Sequence, residues 1–401
     1  MITPEQYGAY GDGASRPLRA LFPDLTAAQA IFPHATSLNN ELDWAAIQMA
    51  INAAKANSGR VDLASGAHYY IGNGSVFCGR VNNTDVHLYE LAGHNATIKG
   101  GGSGNVLLDW SGALFHHTHD LTIEGDEDDP PAVGILHSRL DKTVTGDLIR
   151  SVGQCNWQRV NTDGAFDVAG VYILRAEVQY WERCFIANDS GKYCVIHTQS
   201  NDDSVVSPNC TISDDTDEGT NTHVHWKHCN FNHREASPSA GYACVYLKSV
   251  QNASFDSCLF HDEGETGPLI RIGNAQTRPS QIQVFNSVMH DAYLYAVLFE
   301  DGVICDDFVF VGNKTQSEGT ADIASEGTVI LDRPRIECSK VDLSSGSSRI
   351  RNGGYISICE QGKTGLLSVA NFIACRVEAR QTDTLTLPSS PNNLADIYYV
   401  D

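Results

Sequence analysis

The sequence predicts an all-β chain wound as a parallel β-helix, with one amphipathic helix over its first open end. Three observations predict it. A motif of one aromatic residue, two polar residues and then Cys or Val recurs along the middle of the chain. A second short apolar run recurs between the copies, and a single segment of helical period precedes them all. Units of 20–30 residues made of short strands cannot bury an apolar face alone, so they must stack.

Taken in order, the lead MITPEQYGAYGDG runs toward a helix over 41–56, with Asn40 as its expected cap. Trp44, Ile47 and Ile51 fall at i, i+3 and i+7 and give it one apolar face, and Asn57-Ser58-Gly59 stops it. GRVDLASGAHYYIG follows as short apolar runs broken by Gly and Ser, a pattern of strands and turns.

The motif copies begin at Trp157, Trp181, Trp226, Phe255, Phe285 and, less regularly, Phe308, at intervals of 24, 45, 29, 30 and 23 residues. The long interval holds the acidic stretch QSNDDSVVSPNCTISDDTDEGTN, read as a loop inserted into one coil. The second strand recurs at Val171–Ile173, Cys194–Ile196, Val245–Leu247, Leu269–Ile272 and Val297–Phe299. These runs are short, Gly-bounded and rich in Val, Ile, Phe and Tyr, which excludes helical repeats. Leucine-rich repeats lack support because no fixed Asn or regular Leu spacing occurs. In a β-helix, Cys184, Cys229 and Cys258 become an internal column. The expected divisions are a lead and capping helix over 1–75, a β-helix body over 76–361, and a β-rich tail or cap over 362–401.

Composition narrows the function. The chain has 401 residues, 27 Lys plus Arg and 49 Asp plus Glu, a balance of 27 − 49 = −22. Such a surface repels phosphate backbones and anionic lipid, so neither nucleic acid nor membrane insertion is expected. No apolar stretch approaches the roughly 20 residues of a membrane helix. The N-terminus shows no basic segment followed by an apolar run, so no secretory signal is expected. Twelve cysteines without CxxC pairs fit buried thiols of a reducing cytoplasm better than disulfides or a zinc framework.

Equivalent positions on neighbouring coils lie about 4.7–4.9 Å apart. Carboxylates about 5–5.5 Å apart suit retaining glycosidases, and about 6.5–9.5 Å suits inverting ones. The polar groups after the motif are His233-Arg234-Glu235, His261-Asp262-Glu263 with Glu265, and His290-Asp291. Stacked, they predict a patch with Glu235, Asp262, Glu263 and Asp291 as catalytic acids, and His233 and His261 as substrate contacts. The competing reading is a solvated rim of turns. Outward positions of the second strand predict a glycan-binding stripe of Tyr172, His197, Tyr246, Lys248, Arg271 and Glu300. Tyr stacks on sugar rings, and Arg and Lys hold acidic sugars. Ordinary strand alternation competes with it.

No cofactor or metal is expected. The acidic runs at 126–129 and 214–218 lack EF-hand spacing. His116, His117 and His119 read as ordinary hydrogen-bonding groups rather than ligands. Gly100-Gly-Gly-Ser-Gly104 lacks the Lys and helix of a phosphate loop.

The lead YGAYGDG, then DWAAIQMAINAA, then GRVDLASGAHYYI, resembles the opening of the pectate-lyase-like right-handed β-helix superfamily. There a Gly-Asp-Gly turn, a capping helix and a first coil come in that order. The stretch from Ala14 to Gln48 resembles the form found in bacteriophage tailspikes. That resemblance implies a right-handed coil and a homotrimeric spike of a virion tail or surface, made in the host cytoplasm. It also implies contact with other virion proteins, and the binding and depolymerisation of a bacterial surface polysaccharide. It carries over no catalytic residue. Hydrolysis is favoured over elimination because acids outnumber well-placed Arg and Lys. The rival reading is a non-catalytic receptor-binding fibre or structural spike, and a third is a secreted pectate-lyase-type enzyme.

Overall fold

A computed structural model describes residues 2–57, 59–81, 85–140, 153–212, 223–234, 242–263, 267–273, 278–290, 294–316, 321–359, 363, 365–369, 371–373, 375–386 and 395–400. The chain forms two compact units, Met1–Gly191 with Asn201–Glu218, and Lys192–Ser200 with Gly219–Asp401. Both are right-handed parallel β-helix, the sense in which parallel crossovers wind.

In the first unit the capping helix is Leu42–Ala56. It is Ala-rich, with six Ala in fifteen residues and no Gly or Pro, which favours helix formation. Its N-cap is Glu41 rather than the expected Asn40. The Glu41 carboxylate accepts from Ser15 Oγ at 2.7 Å and Arg16 N at 2.5 Å, while Asn40 Oδ1 accepts from the Thr36 and Ser37 amides. Inside the first turn, Asp43 accepts from the Tyr10 and Gly11 amides at 2.8 and 3.3 Å and ties the Gly-Asp-Gly lead to the helix.

The helix also closes a sheet edge chemically. Strand Val76–Phe77 pairs on one side only, with Val106–Asp109. Gln48 presents its amide to Phe77 like a neighbouring strand, Oε1 accepting from Phe77 N at 2.8 Å and Nε2 donating to Phe77 O at 3.1 Å. Trp44 Nε1 donates to Ser75 O, and Lys55 Nζ to the Phe77 and Gly79 carbonyls. Backbone groups that would otherwise sit unpaired at the end of the solenoid are thereby satisfied.

Beyond the helix, coils repeat in register. Leu108, Ile135 and Val171 stack on one sheet, and Ile98, Ile123 and Thr162 on the other. In the second unit Val245, Ile270, Val297, Ile323 and Val341 form one interior column. The strands of the expected tail, up to Ala395–Tyr399, continue this parallel pairing.

The structure gives the recurring motif a physical meaning. Its second polar residue adopts a left-handed conformation, at Arg159, Arg183, His228 and Ser257, with φ between 51° and 56°. Arg183, His228 and Ser257 each lie between one strand and the next, while Arg159 lies within the strand Cys155–Gly164. The aromatic residue before the bend points inward and stacks on its equivalent. Trp157 and Trp181 lie 4.4 Å apart at 3°, and in the second unit Trp226 and Phe255 lie 6.5 Å apart at 2°. The thiol after the bend donates to backbone carbonyls: Cys184 to Trp157 and Glu182, Cys258 to Trp226 and Asp256. A small, weakly donating side chain fits there, and all twelve cysteines are free thiols.

Two copies of the motif are displaced. After Phe285 the left-handed residue is Asn286, one place early, so Val284 takes the inward position against Phe255. Near Phe308 the bend is Asp307, so Phe308 fills the thiol's place and Cys305 the aromatic's, against Leu331.

Candidate functional site

In the second unit, four of the residues expected to contact substrate meet on one outward face. Strands Ala243–Lys248, Ile270–Gly273, Val297–Phe299 and Ile323–Ser325 are consecutive neighbours. Val245, Leu247, Ile270 and Ile272 point inward, so Tyr246, Arg271, Leu298 and Ala324 form the outward column, with Lys248 in register with Gly273. Arg271 Nε donates to Glu300 Oε1 at 2.7 Å, and Arg271 Nη2 to Glu326 at 3.0 and 3.2 Å. Tyr246 hydrogen-bonds Glu300 and lies 5.3 Å from the Tyr193 ring.

Gly273 is required by this arrangement. A Cβ there would meet Glu300 Oε2 and Tyr246 Oη at 2.3 and 2.8 Å. Burial first, and then the Glu300 carboxylate, push the Tyr246 phenol far above its ordinary range, so it stays a hydrogen-bond donor. Burial pulls the Lys248 ammonium below its usual range, against the attraction of Glu300. For Arg271, burial is outweighed by Glu300 and Glu326, and the guanidinium is held charged. Leu298 and Ala324, further along the column, are buried against Ala321 and Tyr295. A fixed cation beside a phenol and two carboxylates suits a hydroxyl- and carboxylate-bearing sugar chain.

The other expected contacts lie elsewhere. His197 points inward, in register with Leu247, and is 0% exposed. Tyr172, in the first unit, does face outward beside Leu136, but the inserted segment crosses it. Tyr172 Oη donates to Asn201 at 3.2 Å, Ser207 donates to Asp109, and Asn209 reaches Ser75 and Asp109. Tyr172 and Asp109 are both buried beneath it.

The expected acid patch is corrected in part. His233 is in register with Asp262, and Asn232 with His261 and His290. Phe231 and Phe260 fix the inward parity, so two residues on, His233 and Asp262 are inward too. They lie 3.4 Å apart, 0% and 1% exposed, with His233 stacked on Tyr242 and Asp262 accepting from Gly267 N. Neither can touch a polymer in this position. His261 and Glu263 remain outward, 3.8 Å apart, with Asn232 donating to Glu263. Glu235, Glu265 and Asp291 lie outside the described residues.

A second polar cluster, in the first unit, escaped the sequence reading. Arg60 bonds Asp62 and Glu90, and His94 lies 3.0 Å from Asp62. His119 sits between Glu90 at 3.3 Å and Asp120 at 2.8 Å, and Arg159 holds Asp120. Arg159, ahead of His119, draws the Asp120 carboxyl down to about 2. These residues come from coils about thirty positions apart and share no local motif. Only the register, Arg60 with Glu90 and His117, Asp62 with Ala92 and His119, brings them together.

No protein-family model matches the chain, and no curated protein does. Among solved structures it is similar to the tailspike protein gp49 from Pseudomonas phage LKA1, at 13% identity over 100% of this chain and 77% of that one, TM-score 0.43. It is similar to the tailspike gp61 of Pseudomonas phage phi297, at 13% identity over 99% and 80%, TM-score 0.46. The A-module of the mannuronan C-5 epimerase AlgE6 from Azotobacter vinelandii matches at 12% identity over 99% and 98%, TM-score 0.38. Among the described residues, no helix is long and apolar enough to cross a membrane.

Proposed function

We propose that the chain is a spike-type protein that binds an acidic bacterial surface polysaccharide on the Tyr246–Arg271–Glu300 face and cleaves it by hydrolysis. The observation that carries the reading is Arg271 held between Glu300 and Glu326 beside buried tyrosines. Glu326 is the more exposed of the two partners, at 42% against 22%. A sugar carboxylate can replace Glu326 on the guanidinium in a bidentate pair and free that acid to face the bound chain. Glu300 and Glu326 follow strands one coil apart, and a step of about 4.8 Å approaches the carboxylate separation of retaining glycosidases, about 5–5.5 Å. The phage-type lead of the sequence supports a place on a virion, in a homotrimer that contacts other virion proteins.

Binding to a panel of acidic and neutral bacterial polysaccharides, followed by assay of new reducing ends and of unsaturated sugars, tests the reading. Acidic chains are expected to bind and to yield saturated reducing ends. Binding without new ends removes the hydrolytic half, and binding to neutral chains alone removes the role of Arg271. Light scattering tests the trimer.

The burial of His233 and Asp262 favours a second reading, a receptor-binding fibre without catalysis. Under it, Glu326→Gln leaves both the polymer's length and its binding unchanged.

A further inference from the structure

The interior of the first unit holds a group of side chains that the sugar-binding reading does not use. His116 precedes strand His117–Gly125, His137 lies on Val133–Ser138, and Cys155 opens Cys155–Gly164. All three are buried, at 1%, 0% and 0% exposure. One ring nitrogen from each imidazole and the Cys155 sulfur lie within 4.8 Å of one another.

His116 Nε2 has no hydrogen-bond partner, although it is wholly enclosed. A buried polar atom left so costs about 1–3 kcal/mol. The ring cannot turn away from the position. It stacks on Trp110 at 3.8 Å and 14°, and meets the edge of Trp157 at 4.7 Å and 88°. Its Nδ1 is 3.4 Å from Thr118 Oγ1, so donation there leaves the Nε2 lone pair facing inward.

We propose that His116, His137 and Cys155 bind a thiophilic d10 metal ion, Zn2+ or Cu+, inside the coil.

The donor set fits that ion. Two imidazoles and a thiolate are the N and S ligands of Zn2+, and a three-donor set also suits Cu+. Ligands about 2.0–2.3 Å from one ion stand about 3.3–4 Å from each other, a short contraction from the observed spacing. The surrounding contacts are those of a supported ligand: His137 Nε2 is 3.3 Å from Ala113 O, which leaves Nδ1 with its lone pair. Gln179 Nε2 now meets that nitrogen at 2.7 Å. It has a second acceptor, Glu177 O at 3.3 Å, to take the N–H when a metal displaces it. Cys155 ligates as the thiolate, and its proton passes to the solvent as the ion binds. Because the site is enclosed, the ion is acquired as the coils close during folding.

The test uses the full chain produced in medium supplemented with Zn2+ or, separately, with copper, then passed through chelator and analysed for metal. About one tightly held ion per chain is expected with one of the two supplements, and which one identifies the ion. X-ray absorption at that metal is expected to show one sulfur at about 2.3 Å and nitrogen at about 2.0–2.1 Å. Cys155→Ser and His137→Gln are expected to lose the ion, while circular dichroism and polysaccharide binding persist. Wild-type protein without zinc or copper under both supplements overturns the proposal. So does an absorption spectrum with no sulfur neighbour, or variants that hold as much metal as the wild type.

Discussion

Arg271 Nε lies 2.7 Å from Glu300 Oε1, and the same guanidinium reaches Glu326 one coil further on, so a single side chain spans three successive coils of the solenoid. Its planar fork makes this possible. The face is therefore organised around one fixed cation, and lysine at the same place would reach as a point charge without the fork. Arg271→Lys is expected to keep the fold and weaken binding of acidic glycans. Titration calorimetry against such a glycan checks it.

Gly273 leaves room for the meeting of Tyr246 Oη and Glu300. Gly273→Ala is expected to push the two side chains apart and lower glycan affinity about tenfold, a loss of about 1.4 kcal/mol. Its melting temperature should fall only slightly, because the clash falls on the ends of two side chains rather than on backbone. Equal affinity in the variant removes the Tyr246–Glu300 pair from the binding face.

His197 has both ring nitrogens buried without a partner, and burial lowers it to about 3. Its unfolded value is near 6.5, so the unfolded chain takes up a proton that the folded chain refuses. The stability this group supports is present above about pH 6.5 and is lost progressively as pH falls toward 3. His197→Leu, which matches Leu247 in the next coil, is expected to raise stability by about 1–3 kcal/mol at neutral pH and flatten the acid limb. Denaturant unfolding at several pH values checks both.

Gln48 satisfies the N–H and C=O of Phe77 at the outer strand. Gln48→Ala leaves two buried backbone groups unpaired and is expected to cost about 2–4 kcal/mol. The exposed strand edge should also promote association, read as larger species in size-exclusion chromatography.

The Trp157–Trp181 stack fills the interior beside the left-handed bends. Trp157→Ala is expected to cost about 3–5 kcal/mol through the cavity it opens. Denaturant midpoints against wild type measure it.

The solenoid, its capping helix and the thiol positions were legible because each coil repeats the same steric problem. An aromatic fills the interior, a polar residue takes the left-handed bend, and a small thiol follows. The outward face at Tyr246, Arg271 and Glu300 was legible for a related reason, since parity along a strand is fixed once Val245 and Leu247 are placed inside. What failed was parity counted across a bend. His233 and Asp262 occupy equivalent places, seven residues after Trp226 and Phe255, but that shared place faces inward. His197 failed within its own strand: Val195 is the inward residue there, in register with Val245, so His197, two places on, is inward as well. Tyr172 was assigned the right side of its strand, and only the path of the inserted segment, which no periodicity encodes, buries it. The Asp62–His94 and Glu90–His119–Asp120 contacts depend on register between coils and had no signal in any one stretch of sequence.

Affinity of wild type and Arg271→Ala for an acidic bacterial polysaccharide, measured beside a neutral one, bears most directly on the whole reading. The account predicts that wild type prefers the acidic chain and that the variant loses about tenfold or more of that affinity while its melting curve stays cooperative. Equal binding of the acidic chain by both proteins would contradict it.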